Sequence, residues 1–310
     1  MPQISERGNK MSFSSEAKGE ICKNQISDKC CALSELYGVF MFCNTLSDKE
    51  IKIITSSEEL GKRLPRLMKK AFGFGFDRVP EENSKSVKQV FSITEADKIN
   101  TIFDAYGQVA GAILAHHINF GALEEECCKL SFVRGAFLSG GSVTDPKKGY
   151  HLEFATSHFN VSREMSSILL ELGFFPKSVM RKGNYIIYFK QSEVIEDILT
   201  TLGAPVSAMK IMSAKVEKDM YNAVNRKVNC DTANVSKIVE ASAGQIEAIV
   251  KLKKTNRLET MPEKLRETAK LRYDNPELSL SELAELFDPP ITKSCLSHRL
   301  RKIAEAAEEE

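Results

Sequence analysis

Short polar and basic side chains recur near the end of the chain at the spacing of one helix face. Five of them fall on the same side of a helical wheel: Ser294, Ser297, His298, Arg301 and Lys302. An arginine can donate two hydrogen bonds to one guanine, and serine and histidine reach phosphate oxygens or base edges. Such a face suits the major groove of DNA, although a solvated terminal helix would carry the same residue types.

A capping box marks a short helix before this face. Ser279 stands at the N-cap and Glu282 follows three residues later, with Leu283 and Phe287 on an apolar side. Thr292 is placed to cap the next helix, Lys293–Ala304, so the pattern predicts a helix-turn-helix. We assign DNA contacts to nine residues: Ser279, Thr292, Lys293, Ser294, Ser297, His298, Arg299, Arg301 and Lys302.

Two apolar stretches carry small residues four apart. In Ser131–Gly141 the small residues are Ser131, Gly135 and Ser139, and an earlier run has Ser34 and Gly38. Glycine inside a helix costs about 1 kcal/mol, so Gly135 requires a packing reason. We expect these two helices to cross each other closely at the centre of a two-fold arrangement.

An internal repeat organises the first two thirds of the chain. The stretch Gly73–Val79 returns as Gly173–Val179, an offset of 100 (173 minus 73). Each half has the pattern α-β-β-α-β-β-α, over about 11–107 and 127–204, with a linker between them. The sequence therefore predicts an α+β domain built by duplication. In detail, we expect Ser15 and Thr94 to cap helices, and strands near Val79 and over Val87–Ile93.

Strand signals vanish after Pro205, which places a second, helical domain at the end of the chain. Val206–Asn229 and Thr232–Asn256 are predicted as two helices, and Pro262 opens a third. The predicted organisation is a disordered lead over 1–10, a duplicated domain over 11–205 and a helical domain over 206–310.

Composition limits the classes of partner and cofactor. The net charge is only +1, so a nucleic-acid site must be a local patch. No apolar run is long enough to span a bilayer and the first ten residues lack a signal-peptide core, so we expect a cytoplasmic chain with reduced thiols. The vicinal pairs Cys30-Cys31 and Cys127-Cys128 lack zinc-ribbon spacing. No metal or cofactor is assigned, though a zinc site from Cys22, Cys30 and Cys31 stays open.

Several long stretches together resemble the WhiA family of bacterial sporulation and cell-division regulators. The resemblance extends from Met11 to Ile303, and its motifs lie in these ranges: Ser12–Lys18, Cys127–Val143, Tyr150–Glu153, Asn229–Asn234 and His298–Ile303. It implies a LAGLIDADG homing-endonuclease-like domain followed by a sigma-region-4-like helix-turn-helix. Cys295 and Ser297 replace an expected glycine and asparagine, which bears on base preference.

The resemblance also implies where nuclease chemistry would reside. Each LAGLIDADG helix ends in a metal-binding acid, and alignment places Gly140 and Cys43 at those positions. We therefore expect no enzyme activity and no metal ion at these two positions. The strands of the duplicated domain offer further DNA-contact candidates: Lys177, Arg181 and Lys182.

The resulting prediction is a sequence-specific DNA-binding regulator of sporulation, cell division or chromosome segregation. It would be a nucleoid-associated monomer that binds double-stranded DNA and possible protein partners, such as other regulators or RNA polymerase. Two alternatives remain open, a residual metal-dependent DNA endonuclease and a protein-interaction scaffold. His151 and Glu153 share a strand face, where a structural hydrogen bond and an acid–base or metal pair are both conceivable.

Overall fold

The structure of the chain is a computed structural model that describes residues 11–26, 28–81, 88–109 and 115–308. The chain divides into two compact units, Met1–Glu217 and Lys218–Glu310. The lead predicted to be disordered, Met1–Lys10, lies outside the described residues, as do Val87 and the part of the linker over Ala110–Leu114. The domain limits drawn from the sequence stay a prediction.

The first unit combines helices with two antiparallel sheets. Its elements are α1 (Phe13–Lys23), α2 (Lys29–Met41), β1 (Thr45–Leu46), β2 (Ile51–Thr55), α3 (Glu58–Phe72), β3 (Gln89–Ile93), α4 (Ala96–Ala105), α5 (Glu126–Gly140), β4 (Gly141–Val143), β5 (Leu152–Thr156), α6 (Phe159–Glu171), β6 (Lys177–Arg181), β7 (Asn184–Phe189) and α7 (Ser192–Leu202). The strand orders are β1-β2-β3 and β4-β5-β7-β6. This confirms the α+β fold class.

The two halves of the repeat are not equally complete. The second half, from α5 to α7, has the full predicted α-β-β-α-β-β-α order. In the first half, the strand expected near Val79 is reduced to a single bridge between Arg78 and Ser92. Pro80 has no N–H to donate to a longer ladder. The described part of the first sheet therefore has three strands, and the second has four.

Two predicted helix caps are wrong. The α1 helix starts one turn earlier than expected, and Ser12, not Ser15, accepts the backbone N–H of the first turn at 3.1 Å. At α4 the N-cap is Glu95, not Thr94. The Asp77 carboxylate accepts the backbone N–H groups of Thr94 and Glu95 at 2.6 and 2.8 Å, so a distant residue does the capping.

Helices α2 and α5 cross at glycines, as the small-residue pattern predicts. A Cβ at Gly38 would overlap the carbonyl oxygen of Phe132, and one at Gly135 would overlap the carbonyl oxygen of Glu35. The two backbones therefore touch at the centre of the unit. At the C-terminal end of the pair, the Ser139 hydroxyl links the two helices by donating to the carbonyl oxygen of Phe42 at 2.9 Å.

Each sheet contributes one face to the core that contains this helix pair. Alternate residues of the second sheet are buried in the core: Val143, Leu152, Phe154, Ile187 and Phe189. Because successive strand residues point to opposite faces, the residues between them form an outer face. The strand register places Lys177 beside Tyr188 and Arg181 beside Asn184 on that outer face.

One long helix replaces the two that were predicted after Pro205. Helix α8 runs without a break over Pro205–Lys254. The predicted interruption at Asn229–Asp231 contains poor helix formers but neither proline nor glycine, and the cost of less than about 1 kcal/mol per residue does not stop an established helix. The second unit continues with α9 (Glu263–Asp274), α10 (Leu280–Glu285) and α11 (Lys293–Glu308). No helix in the described ranges is long and apolar enough to cross a membrane.

Candidate nucleic-acid interface

Helix α11 is held against the second unit's core by one apolar side. Leu296, Leu300 and Ile303 are at most 3 % exposed and pack in one cluster with Leu283 and Phe287. The turn from α10 is closed where the backbone N–H of Ile291 donates to the carbonyl oxygen of Ala284 at 3.1 Å. The predicted helix-turn-helix is thus formed, with α11 as its second helix.

Both helices of the motif start with the predicted caps. The Ser279 hydroxyl accepts the backbone N–H of Glu282 at 3.3 Å, and the Glu282 carboxylate accepts the backbone N–H of Ser279 at 2.8 Å. These bonds lower the pKa of Glu282 below its usual value. At α11, the Thr292 hydroxyl accepts the backbone N–H of Cys295 at 3.2 Å. The caps fix where each helix begins and therefore which side chains face outward.

A buried arginine that was not predicted from the sequence stabilises the segment before the helix-turn-helix. Arg272 on α9 is 1 % exposed and donates to the side-chain oxygen of Gln245 at 2.8 Å. Its guanidinium also donates to the carbonyl oxygens of Asn275 and Leu278 at 3.1 and 2.8 Å. It thereby fixes the segment that leads into α10. Its place on an amphipathic helix gives no sequence signal that distinguishes it from a surface arginine.

The outward side of α11 carries the predicted contact residues. Six of those within α11 are exposed: Lys293, Ser294, Ser297, His298, Arg301 and Lys302. The Arg301 side chain is 67 % exposed, with its guanidinium 3.1 Å from Nδ1 of His298 and 3.4 Å from the Glu305 carboxylate. Exposed ion pairs contribute little free energy, so Arg301 can exchange Glu305 for a base or phosphate at small cost.

Three predicted contact residues have different surroundings. Arg299 is half-buried, with its guanidinium 5.4 Å from the centre of the Phe287 ring. Ser279 and Thr292 already use their hydroxyl oxygens as caps, and each hydroxyl keeps its O–H to donate. These three lie at the margins of the exposed face rather than at its centre, and their DNA contacts stay predictions.

The second group of candidates lies at the edge of the second sheet. Lys177 and Arg181 are exposed on β6, and Lys182 follows in the turn to β7 with a positive φ of 51°. Lys190, which the sequence analysis missed, lies over the Tyr188 ring at 5.4 Å. Strand alternation could have found it, because Lys190 is two residues beyond Tyr188 and shares its face.

The positions that align with nuclease acids carry no carboxylate. A Cβ at Gly140 would lie 2.8 Å from both the carbonyl oxygen of Ala155 and a ring carbon of Phe42, so there is no room for a carboxylate. The Cys43 thiol donates to the carbonyl oxygen of Thr45 at 3.0 Å, and burial raises its pKa to about 12. A neutral thiol is a poor ligand for a hard cation.

The structure bears on two alternatives left open by the sequence, the role of the His151–Glu153 pair and the zinc site that includes Cys22. Nε2 of His151 lies 3.0 Å from the Glu153 carboxylate, which also accepts from the Ser142 hydroxyl at 3.3 Å. This small network matches the structural hydrogen bond, and in the part of the chain that the structure describes neither side chain belongs to a group of three metal ligands. The three-cysteine set with Cys22 is wrong, because among the described residues Cys30 is grouped with Cys127 and Cys128 instead.

The chain resembles known proteins over almost its whole length. A family model described as the WhiA LAGLIDADG-like domain matches residues 129–221, and one described as the WhiA C-terminal HTH domain matches residues 224–307. A probable cell division protein WhiA from Ruminiclostridium cellulolyticum is 37 % identical, with 96 % of this chain and 97 % of that protein covered. A protein of the same name from Alkaliphilus oremlandii is 36 % identical, with coverages of 96 % and 97 %.

A solved structure agrees with these relatives. The crystal structure of full-length DUF199/WhiA from Thermotoga maritima matches with a TM-score of 0.58 and 26 % identity, covering 96 % of this chain and 98 % of that one. The first family model matches most of the second half of the duplicated unit, and the second matches the helix-turn-helix. The chain therefore belongs to the WhiA family, with a LAGLIDADG-like domain and a C-terminal HTH domain.

Proposed function

We propose that this protein is a sequence-specific DNA-binding regulator whose main contact surface is the exposed side of α11. The observation that supports it best is that α11 is held in place by its buried apolar side while its polar side is exposed. Leu296 and Leu300 are buried, while Ser297, His298 and Arg301 face outward. On such a helix the polar side chains meet base edges, and nearby lysines meet phosphates.

The cellular role we propose is control of cell division, with sporulation and chromosome segregation as related processes. The relatives carry the printed name of a probable cell division protein. We place the protein in the cytoplasm as a monomer at chromosomal DNA, alone or with other regulators or RNA polymerase. Chromatin immunoprecipitation of the full chain tests this role, since a defined set of promoters would support regulation and diffuse binding would contradict it.

Arg301→Ala is the first test of the surface. It should weaken binding to an enriched site by about 1–3 kcal/mol and relax the preference at one base pair, because a forked base contact is lost. The measurement is fluorescence anisotropy with the enriched sequence and with a shuffled one. The thermal unfolding midpoint should stay unchanged, since this side chain is exposed.

Lys270→Ala is the matched control, because it removes the same charge from an exposed position on α9. Binding should change little. Equal losses in the two variants would mean that general positive charge, not the α11 face, drives binding. Retention of full specificity by Arg301→Ala would also contradict the proposal and favour a protein-interaction role for the helix-turn-helix.

The outer face of the second sheet is proposed as a secondary, phosphate-contacting surface. Replacing Lys177, Arg181 and Lys182 together by alanine should leave sequence preference intact. It should reduce the slope of log K against log salt by about 2 to 3, since each phosphate contact contributes about 0.9. The matched control replaces three exposed cations of α3: Lys62, Arg66 and Lys69. An unchanged slope in the sheet variant would contradict this assignment.

We further propose that the LAGLIDADG-like domain has no nuclease activity. Metal-assisted cleavage needs carboxylates that hold the cations over the scissile phosphate. At the two positions that align with those acids, Gly140 lacks room for a side chain and Cys43 holds a neutral thiol. The domain then serves as a scaffold rather than as an enzyme.

Incubation of the full chain with a supercoiled plasmid that carries an enriched site, in Mg²⁺ or Mn²⁺, tests this proposal. No nicking above the background without protein is expected. Two acids that follow the helix ends in sequence could act in place of the missing carboxylates. Asp48 is exposed, and Asp145 is half-buried, with its carboxylate accepting the backbone N–H of Lys147 at 3.0 Å. Nicking that disappears in Asp48→Asn or Asp145→Asn would revive the endonuclease alternative.

A further inference from the structure

Four cysteines from two distant parts of the sequence meet at one end of the central helix pair. The Sγ atoms of Cys30, Cys127 and Cys128 all lie within 4.8 Å of one another. The thiol of Cys31 interacts with those of Cys30 and Cys127, and lies 4.0 Å from the carbonyl oxygen of Cys127. All four are free thiols. The mechanism proposed for DNA binding uses none of them.

The internal duplication explains why the thiols converge. Cys30 is the second residue of α2, and Cys127 is the second residue of α5. The two differ by 97 positions (127 minus 30), as do the crossing glycines Gly38 and Gly135 (135 minus 38). Helices that cross with their starts at the same end therefore bring the two vicinal pairs together, one pair from each half of the domain.

We propose that Cys30, Cys31, Cys127 and Cys128 form a binding site for one zinc ion. Zinc prefers thiolate ligands in a tetrahedron, with sulfur atoms about 2.3 Å from the metal and hence about 3.8 Å apart. A separation of at most 4.8 Å among three thiols needs only small side-chain rotations to reach that geometry. Cys31, which lies outside that group of three, reaches the metal as fourth donor when its thiol turns away from the carbonyl oxygen of Cys127. Binding displaces the thiol protons.

The surroundings favour a cation held by thiolates. Two helix N-termini lie at the cluster, and their positive ends stabilise the thiolates once zinc has displaced the protons. Three exposed glutamates, Glu124, Glu125 and Glu126, directly precede Cys127 and attract a cation from solvent. Two lysines adjoin the cysteine pairs, Lys29 and Lys129. The ammonium group of Lys129 pairs with the Glu171 carboxylate at 2.8 Å.

The cluster also has the exposure that a structural metal site needs. Cys30 and Cys127 are exposed, so an ion can enter, while Cys31 and Cys128 are buried and held by the helix pair. Such a site joins the start of α2 to the start of α5. It would lie at the opposite end of the helix pair from Gly140, where the family resemblance places the lost nuclease site.

The test is metal binding by the full chain, purified under reducing and anaerobic conditions. With added Zn²⁺ followed by gel filtration, elemental analysis should find about one zinc per chain, as for a closed four-ligand site. Cys30→Ser combined with Cys127→Ser should lower zinc affinity at least about 100-fold, since even outer-shell changes cost 10–100-fold. The matched control, Cys230→Ser with Cys295→Ser, removes two exposed thiols outside the cluster and should bind as the parent does.

Cobalt substitution keeps the inference testable if the variant fails to fold. The parent chain with Co²⁺ should show sulfur-to-metal charge-transfer bands and the strong visible bands of a tetrahedral thiolate site. A weak octahedral spectrum, or no zinc retained by the parent chain, would overturn the proposal. So would zinc affinity that is equal in the cluster variant and the control, or air-stable disulfides between the two pairs in zinc-loaded protein.

Discussion

Glu35→Gln is expected to lower the free energy of unfolding of the first unit by about 3–5 kcal/mol, because it leaves a buried guanidinium without its counter-charge. Nε and Nη2 of Arg63 donate to the two carboxylate oxygens of Glu35 at 2.6 and 2.9 Å. Both side chains are at most 2 % exposed. The remaining Arg63 donor reaches the carbonyl oxygens of Cys22 and Asn24, so one cation ties α1 and α2 to α3.

The measurement is urea unfolding followed by circular dichroism. Glu58→Gln is the matched control, since Glu58 also pairs with a cation, Lys62, but both of those side chains are more than two thirds exposed. That control should cost less than about 1 kcal/mol. A Glu35→Gln variant no less stable than Glu58→Gln would show that the buried pair does not hold the helices of the first unit together.

Features that repeat or that follow a local period could be predicted from the sequence. The small residues of α2 and α5 indicate the crossing, and the repeat at Gly73 and Gly173 indicates the duplicated domain. The capping box at Ser279 locates the helix-turn-helix. The small-residue pattern and the capping box each depend on residues within about one or two helical turns, where spacing alone determines which side chains share a face. The duplication needs only a comparison of the chain with itself at an offset of 100 (173 minus 73).

Features that depend on contacts between distant residues could not be predicted in this way. The cap of α4 comes from Asp77, seventeen residues before Thr94. The Cys30 thiol meets Cys127 and Cys128 only because α2 and α5 cross. The buried Arg272 resembles a surface arginine on a helical wheel, because its partners are two backbone carbonyl oxygens and one side-chain amide oxygen. Sequence spacing carries no information on such pairings.

Gly135→Ala should destabilise the first unit by about 3 kcal/mol, at the upper end of the usual cost of overpacking a core. The new Cβ would overlap the carbonyl oxygen of Glu35 and lie 3.0 Å from the backbone nitrogen of Val39. Both atoms belong to the α2 backbone, so no side chain can rotate away to make room. The two central helices would have to move apart, which loosens the core that both sheets cover.

Gly19→Ala gives the matched control, because Gly19 is also a buried helical glycine of the same unit. A Cβ there would meet only the flexible side chain of Glu59, at an ordinary 3.5 Å. The control should be neutral or gain up to about 1 kcal/mol, since alanine favours the helix over glycine. The same urea experiment compares the two. If Gly135→Ala were as stable as Gly19→Ala, α2 and α5 could not be in backbone contact, and the convergence of the four cysteines at their starts would lose its structural basis.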